Sequence, residues 1–492
     1  MAKPVQWLRG PSDPHERNNM DLLLPDIAFC GAVGFLVGVF ELSLGWSIIP
    51  TIVLGVLVSA IGSVVFDGFA KHRVKVLAIF SAVALVSLSC GVFYCRFFLS
   101  VQQSGIHLPS GKSATFSAIV IDEPQISTKS IILKVALEKP YAGNMMILAP
   151  FDSNFGYGDE LKISGGISRP ATPGEQPAVF ASSISLLFHH KAFWLREELI
   201  NLKLAIIGKY NMFLPEEQAM LLGGIAFGAK QNFKPDLKAA LAASGTTHLV
   251  AISGYNITII AVAAEQIFGG FLSRRKKLYA TLVLIILFVL MTGLQSSAIR
   301  AAIMGFLALA AKDLGRSFSI RNAMAFTAVS MALFDPTILT QNVAFELSFL
   351  SLLGIVYLSE PIKKLFPSDS DGVLGWKESA RTTLCAQLGT MPVLIATFGQ
   401  SSATSVGANV LVLGTVPLTM FLGVALAILG FVAYYPAWIV ARMTGLLLGY
   451  QLGIIRFFAS LALPLPFQFN SVFVFVFYYA ALGTFAYYYG EH

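Results

Sequence analysis

The chain has 492 residues, of which 55% are hydrophobic and only 12% charged, with a formal net charge of +7. A soluble domain is about a quarter charged, so this composition excludes an ordinary soluble globular protein and predicts a polytopic α-helical membrane protein. In that class an excess of Lys and Arg marks cytoplasmic loops, and is no nucleic-acid signal by itself.

The N-terminal stretch MAKPVQWLRGPSDPHERNNMD is polar and interrupted by prolines, which is not the pattern of a cleavable signal peptide. Apolar runs from Ile27 to Leu44, Ile48 to Phe66 and Val76 to Phe98 then predict three helices. Lys71, His72, Arg73 and Lys75 form a dense basic loop between the second and third. The positive-inside rule places that loop and the N-terminus in the cytoplasm, so the third helix exits on the outer side. The four cysteines, Cys30, Cys90, Cys95 and Cys385, lack CxxC spacing and fall in or beside apolar runs, as small buried residues do.

Residues 101–190 change character. Short alternating runs (SATFSAIVID, KSIILKVALE, NMMILAP, GYGDELKISGGISRP and AVFASSISLLF) are separated by turn residues such as Asp122-Glu123-Pro124. This is strand periodicity, with room for five to six strands. A small Greek-key barrel of the OB type fits the size and spacing; a plain β-sandwich fits them too. Topology places this domain outside the cytoplasm. Phe116, Tyr141, Phe151, Phe155 and Tyr157 are candidates for base stacking. However, Lys112, Lys129, Lys134, Lys139, Lys162 and Arg169 are nearly balanced by Asp122, Glu123, Glu138, Asp152, Asp159, Glu160 and Glu175. A purely structural barrel is an equal reading.

From Lys191 the chain turns helical. AFWLREELINLKLAIIGKYNMFLP mixes charged with apolar residues and is expected at the membrane interface. The apolar core from Ala219 to Ala229 is too short to span, contains Gly223, Gly224 and Gly228, and suits a re-entrant segment. Ser244 to Gly270 then opens with polar and small residues, breaks again at Ser253-Gly254-Tyr255-Asn256, and continues as ITIIAVAAEQIFGG. Irregular backbone at membrane depth survives only against protein or a water-filled path, so this stretch reads as a broken membrane helix lining something. Arg274, Arg275, Lys276 and Lys277 form a basic loop that makes the helix from Asn256 to Phe271 run inward, with His248 and Ser253 toward the outer half. Further spans are expected near Ala280–Thr292, Ile299–Ala311, Ala323–Phe334, Val343–Leu358, Thr383–Phe398, Ala408–Val432, Thr444–Leu463 and Val472–Tyr489. The expectation is about twelve spans with both termini inside. Three regions follow: 1–100 with three helices, 101–190 as the β domain, and 191–492 as the polytopic domain.

Ionisable residues inside membrane segments tend to face a cavity. Arg300 is one, unless it snorkels to the outer interface. Glu346, flanked by apolar residues, should face the bundle interior, with Arg300 a candidate partner in what could equally be a structural ion pair. Ala251-Ile252-Ser253-Gly254 is reminiscent of the serine motif of intramembrane proteases. That motif wants Gly where Ala251 stands and a later His as base, and no histidine lies in a later span. No Walker-type loop or HExxH motif occurs, so neither catalysis nor a cofactor is expected.

Several motifs in order resemble the ComEC family of competence proteins, inner-membrane DNA-uptake channels. They are HLVAISGYNITI (His248 to Ile259), LLGGIAFG, SSAIRAAIMG, FELSFLSLLGI, QLGTMPVLIATFGQSS and ANVLVLGTVP, preceded by a β domain with YGDELKISGGI. The resemblance covers nearly the whole chain. It implies passage of single-stranded DNA through the lipid bilayer during transformation, with His248, Ser253, Gly254 and Arg300 lining or shaping the path. Lys230 and Lys234 are further candidates for gripping phosphate. Two departures matter. The family commonly has a second His where this chain has Asn256, and often Gln where Glu346 stands. Many members also carry a C-terminal metallo-β-lactamase-like domain, which does not precede His492 here. A separate nuclease and a cytoplasmic motor are therefore expected partners. The alternatives are a secondary transporter of a small solute, built on broken helices with a midplane site, and a membrane-anchored scaffold.

Overall fold

A computed structural model of the chain describes residues 19–43, 73–105, 114–126, 130–150, 155–168, 178–229, 233–365, 376–398, 405–461 and 472–489. The chain divides into two compact units. One comprises Met1–Gly105, Leu272–Tyr279 and Arg300–Asn342, the other Ile106–Phe271, Ala280–Ile299 and Val343–His492.

In the first unit, α1 (Asn19–Ser43) lies along α2 (Arg73–Gly105). Glycine makes the approach possible: a Cβ on Gly38 would collide with the Leu88 carbonyl, and one on Gly91 with that of Phe35. Small residues let membrane helices approach this closely, where dispersion can act. Tyr94 donates to the Leu333 carbonyl at 2.5 Å, and Arg321 pairs with Asp26. The second predicted run, Ile48 to Phe66, lies outside the described residues.

The second unit opens with the β domain: β1 (Ala114–Val120), β2 (Gln125–Ile126), β3 (Ile131–Leu137), β4 (Asn144–Ala149), β5 (Glu160–Ser168) and β6 (Ala178–Phe188). Neighbours run β1-β5-β6-β4-β3, and β1 pairs again with β3, so five strands close a barrel with β2 appended to β3. Among the described residues only the β4–β6 pairing is parallel. Alternation decides the inside: Leu133, Val135, Met145, Ile147, Leu161 and Ile163 are fully buried, and the residues between them face outward. The same parity corrects the stacking expectation. Phe116 is in the core, Tyr141 and Phe155 pack against it, and Tyr157 lies under the Arg196 guanidinium at 4.7 Å. Phe151 is outside the described residues.

Helices follow: α3 (Trp194–Phe213), α4 (Glu216–Phe227), α5 (Pro235–Ala243), α6 (Gly254–Gly269), α7 (Arg274–Met291), α8 (Ser296–Asp313), α9 (Ile320–Phe334), α10 (Ile338–Gln341), α11 (Val343–Leu365), α12 (Trp376–Phe398), α13 (Ser405–Leu413), α14 (Val416–Val432), α15 (Tyr434–Ser460) and α16 (Val472–Tyr489). Among the described residues, four helices are long and apolar enough to cross a membrane: Pro25–Ser43, Ile79–Gln102, Val343–Leu365 and Tyr434–Ser460. The pair α13–α14, bent by 48°, makes a fifth. This is a multi-pass membrane protein. Several other expected spans are helical but short. The 16 residues of α6 reach about 24 Å, less than the ~30 Å of a hydrocarbon core. Arg274 to Lys277 do not form a loop: they are the first turn of α7. Arg274 there donates to the Lys312 carbonyl at 2.7 Å, at the C-terminal, electronegative end of α8.

Candidate functional site at the helix break

The segment between α5 and α6 is irregular because its sequence denies it a helix. Ser244 ends α5, Gly245 takes a left-handed φ of +69°, and the Thr246 amide folds back on the Leu241 carbonyl at 2.9 Å. The Ser244 and Thr246 hydroxyls, both buried, bond to each other at 2.7 Å. A single 3-10 turn, Thr247–Val250, follows, and Ala251 is extended. Ser253 occupies the N-cap of α6 with extended backbone, but its hydroxyl caps no amide. It donates instead to Asn256 Oδ1 at 3.3 Å.

Side chains of this segment and of α8 tie it to its neighbours. Asn256 is buried and its Nδ2 donates to the Ile225 carbonyl at 3.0 Å. That carbonyl belongs to the last turn of α4, where helix carbonyls have no intrahelical partner. The Ser297 hydroxyl donates to the Ile252 carbonyl. Gly228 closes α4 with φ +68° and its amide on Gly224 O at 2.8 Å. Only glycine fits there: a Cβ would lie 2.8 Å from Gln295 Nε2 and 2.9 Å from Ile252 Cγ1. Gly224 lets Val250 pack equally close.

The structure thus gathers His248, Ser253, Gly254 and Asn256 at one break. His248 is exposed while Leu249 and Val250 beside it are buried. Lys234 is exposed at the start of α5, but Glu216 Oε2 lies 2.5 Å from its ammonium. Both side chains of this ion pair are exposed, so it holds the lysine only weakly. Lys230 lies outside the described residues. Arg300, one turn beyond Ser297 on α8, falls in the first unit, whereas Glu346 is half-buried in the first turn of α11 in the second. Among the described residues no cluster of three or more His, Cys, Asp or Glu could hold a metal ion.

Sequence reasoning missed the bracing partners Ile225, Gln295 and Ser297. It also missed how the barrel is attached. Arg196 on α3 donates to the Ile121 carbonyl and Asp122 Oδ1, each at 2.9 Å, and Lys203, 3% exposed, pairs with Glu123. Lys191 bonds Glu160 at 2.7 Å, which raises the lysine's pKa and holds the Glu160 carboxyl below its usual range. Burial, and then the neighbouring Glu160, push Glu138 up. Asp122 Oδ1 also comes within 3.8 Å of where a Cβ on Gly293 would stand, in the turn that leads to Gln295.

The sequence profile of a family described as Competence protein matches residues 225–491, more than half of the chain. ComE operon protein 3 of Bacillus subtilis (strain 168) is 27% identical over 215 residues, which cover 44% of this chain and 27% of that protein. The aligned region is therefore much less than two thirds of that relative's length. No solved structure matches.

Proposed function

The chain belongs to the Competence protein family, and from that premise we propose that it passes single-stranded DNA across the cytoplasmic membrane during natural transformation, as a channel without catalysis of its own. One observation carries the reading. The break at His248–Asn256 has irregular backbone whose Ile252 carbonyl is met by Ser297 and whose Asn256 braces the end of α4, and non-helical chain at membrane depth persists only against protein or a wet path. A polyanion needs such a path, with weak polar or basic contacts along it. His248 and Arg300 serve as those contacts, and Ser253, Gly254 and Asn256 keep the helix open. Ser253 donates to the amide oxygen of Asn256, which is too weak a base to activate it as a nucleophile. Glu346 faces the bundle, held by a cation and not by the strand.

The barrel is of the OB type, which its strand order with one parallel pair supports; the basic loops of the sequence favour its standing outside the cytoplasm. About twelve spans with both termini inside complete the topology, and a separate nuclease and cytoplasmic motor are the working partners. A second reading, a secondary transporter of a small solute, is favoured by the 48° break between α13 and α14. Import of labelled DNA separates them. Deleting the gene should abolish import, and Arg300→Ala should reduce it with the protein still in the membrane. Normal DNA import alongside a lost solute uptake would select the transporter.

A further inference from the structure

The barrel leaves an apolar rim uncovered where it joins α3. Phe188 at the end of β6 is 60% exposed, Phe193 54% and Trp194, the first residue of α3, 69%. The Lys191 ammonium sits 5.0 Å from the centre of the Phe188 ring. Large aromatic side chains next to a lysine, at the point where chain enters a membrane bundle, have the composition of a bilayer interface.

The rim lies at the barrel end of α3. Its inner face, Arg196, Ile200, Lys203 and Tyr210, is fixed to barrel and bundle, with Tyr210 donating to the Gly423 carbonyl of α14 at 3.1 Å. At the far end the Phe213 ring lies 5.3 Å from Tyr434, beside Tyr435 and Trp438, which are 81% and 45% exposed. That group marks one edge of the membrane-length helices. Phe213 stands nineteen residues after Trp194 (213 minus 194), about 28 Å along a helix axis. Trp194 and Phe213 are therefore at opposite ends of α3, with Trp194 at the barrel end.

The buried pair joins the same end of α3 to the barrel. Lysine side chains on a helix lean toward its N-terminus, so the Lys203 ammonium reaches back toward the barrel, where Glu123 meets it.

We propose that Phe188, Phe193 and Trp194 seat the barrel on the lipid headgroup region of the outer leaflet. Nucleic acid fits this face less well, because its cations are engaged. Lys191 pairs with Glu160, Arg196 with Asp122, and the rings of His189 and His190 with Asp159 and Glu197.

The test compares the full chain with its Trp194→Phe variant, both reconstituted in phosphatidylcholine–phosphatidylglycerol vesicles. The difference in emission between them belongs to Trp194, and a conservative change at so exposed a position leaves the fold intact. Vesicles brominated near the carbonyl end of the acyl chain should quench that difference emission about twofold, and vesicles brominated near the bilayer centre should quench it less. Equal difference emission in brominated and ordinary vesicles would overturn the proposal. So would quenching by an added thymidine oligonucleotide with none from bromine, which would assign the face to nucleic acid.

Discussion

Replacing Asn256 with leucine keeps the volume of the side chain and removes both of its bonds. The Ile225 carbonyl, at the end of α4, then loses the donor that reaches it at 3.0 Å, and the Ser253 hydroxyl loses an acceptor at 3.3 Å. The site is buried, so water does not replace them freely. Leaving one buried acceptor unmet costs roughly 2 kcal/mol, and the longer hydroxyl contact adds little. Because the loss is local, hydrogen exchange reports it better than global unfolding. Amides of residues 224–229 and 251–256 should exchange about 30-fold faster, since each ~1.4 kcal/mol is a factor of ten. Asn256→His should fall between parent and leucine, because an imidazole N–H can still reach the Ile225 carbonyl. Unchanged exchange in Asn256→Leu across both segments would show that these bonds do not hold the break.

Three further outcomes are expected. Gly228→Ala combines a left-handed φ of +68° with a Cβ 2.8 Å from Gln295 Nε2, so the amount of protein recovered in the membrane should fall sharply. Lys203→Met strands Glu123 without its buried partner, at about 3–5 kcal/mol, and should open the segment joining β6 to α3 to proteolysis; adding Glu123→Leu should restore much of the resistance. Glu160 has a depressed carboxyl pKa, owed first to Lys191. Its contribution to barrel stability is present above the pKa of an unfolded glutamate and lost as pH falls through the lowered folded value. Lys191→Met should move the acid-unfolding midpoint of the barrel, followed by circular dichroism, to higher pH.

The β domain was legible because alternation is local: every predicted strand run became a strand. Which side of each strand faces inward was not. Phe116 could be read as a stacking platform until barrel closure put it in the core. The break at Ser244–Asn256 was legible from its own polar residues, but its braces were not, since Ile225 and Ser297 lie 31 and 45 residues away in sequence. The same distance problem hid the attachment of the barrel, where Arg196 and Lys203 meet acids 74 and 80 residues earlier. Charge rules assign a side of the membrane and say nothing of backbone. That is why Arg274 to Lys277 gave a cytoplasmic mark but turned out to begin a helix.

The inward engagement of Asn256 has a consequence for what the break offers to a passing chain. The amide that could have read the edge of a base is already committed to the Ile225 carbonyl, and Ser253 is committed to that amide. Thr247 and His248 are exposed there, as is Tyr255 at 46%. Aromatic faces hold every base about equally, because each base has a π-face. Under the proposed role, the ring faces of His248 and Tyr255 would hold a passing strand with little preference for its sequence.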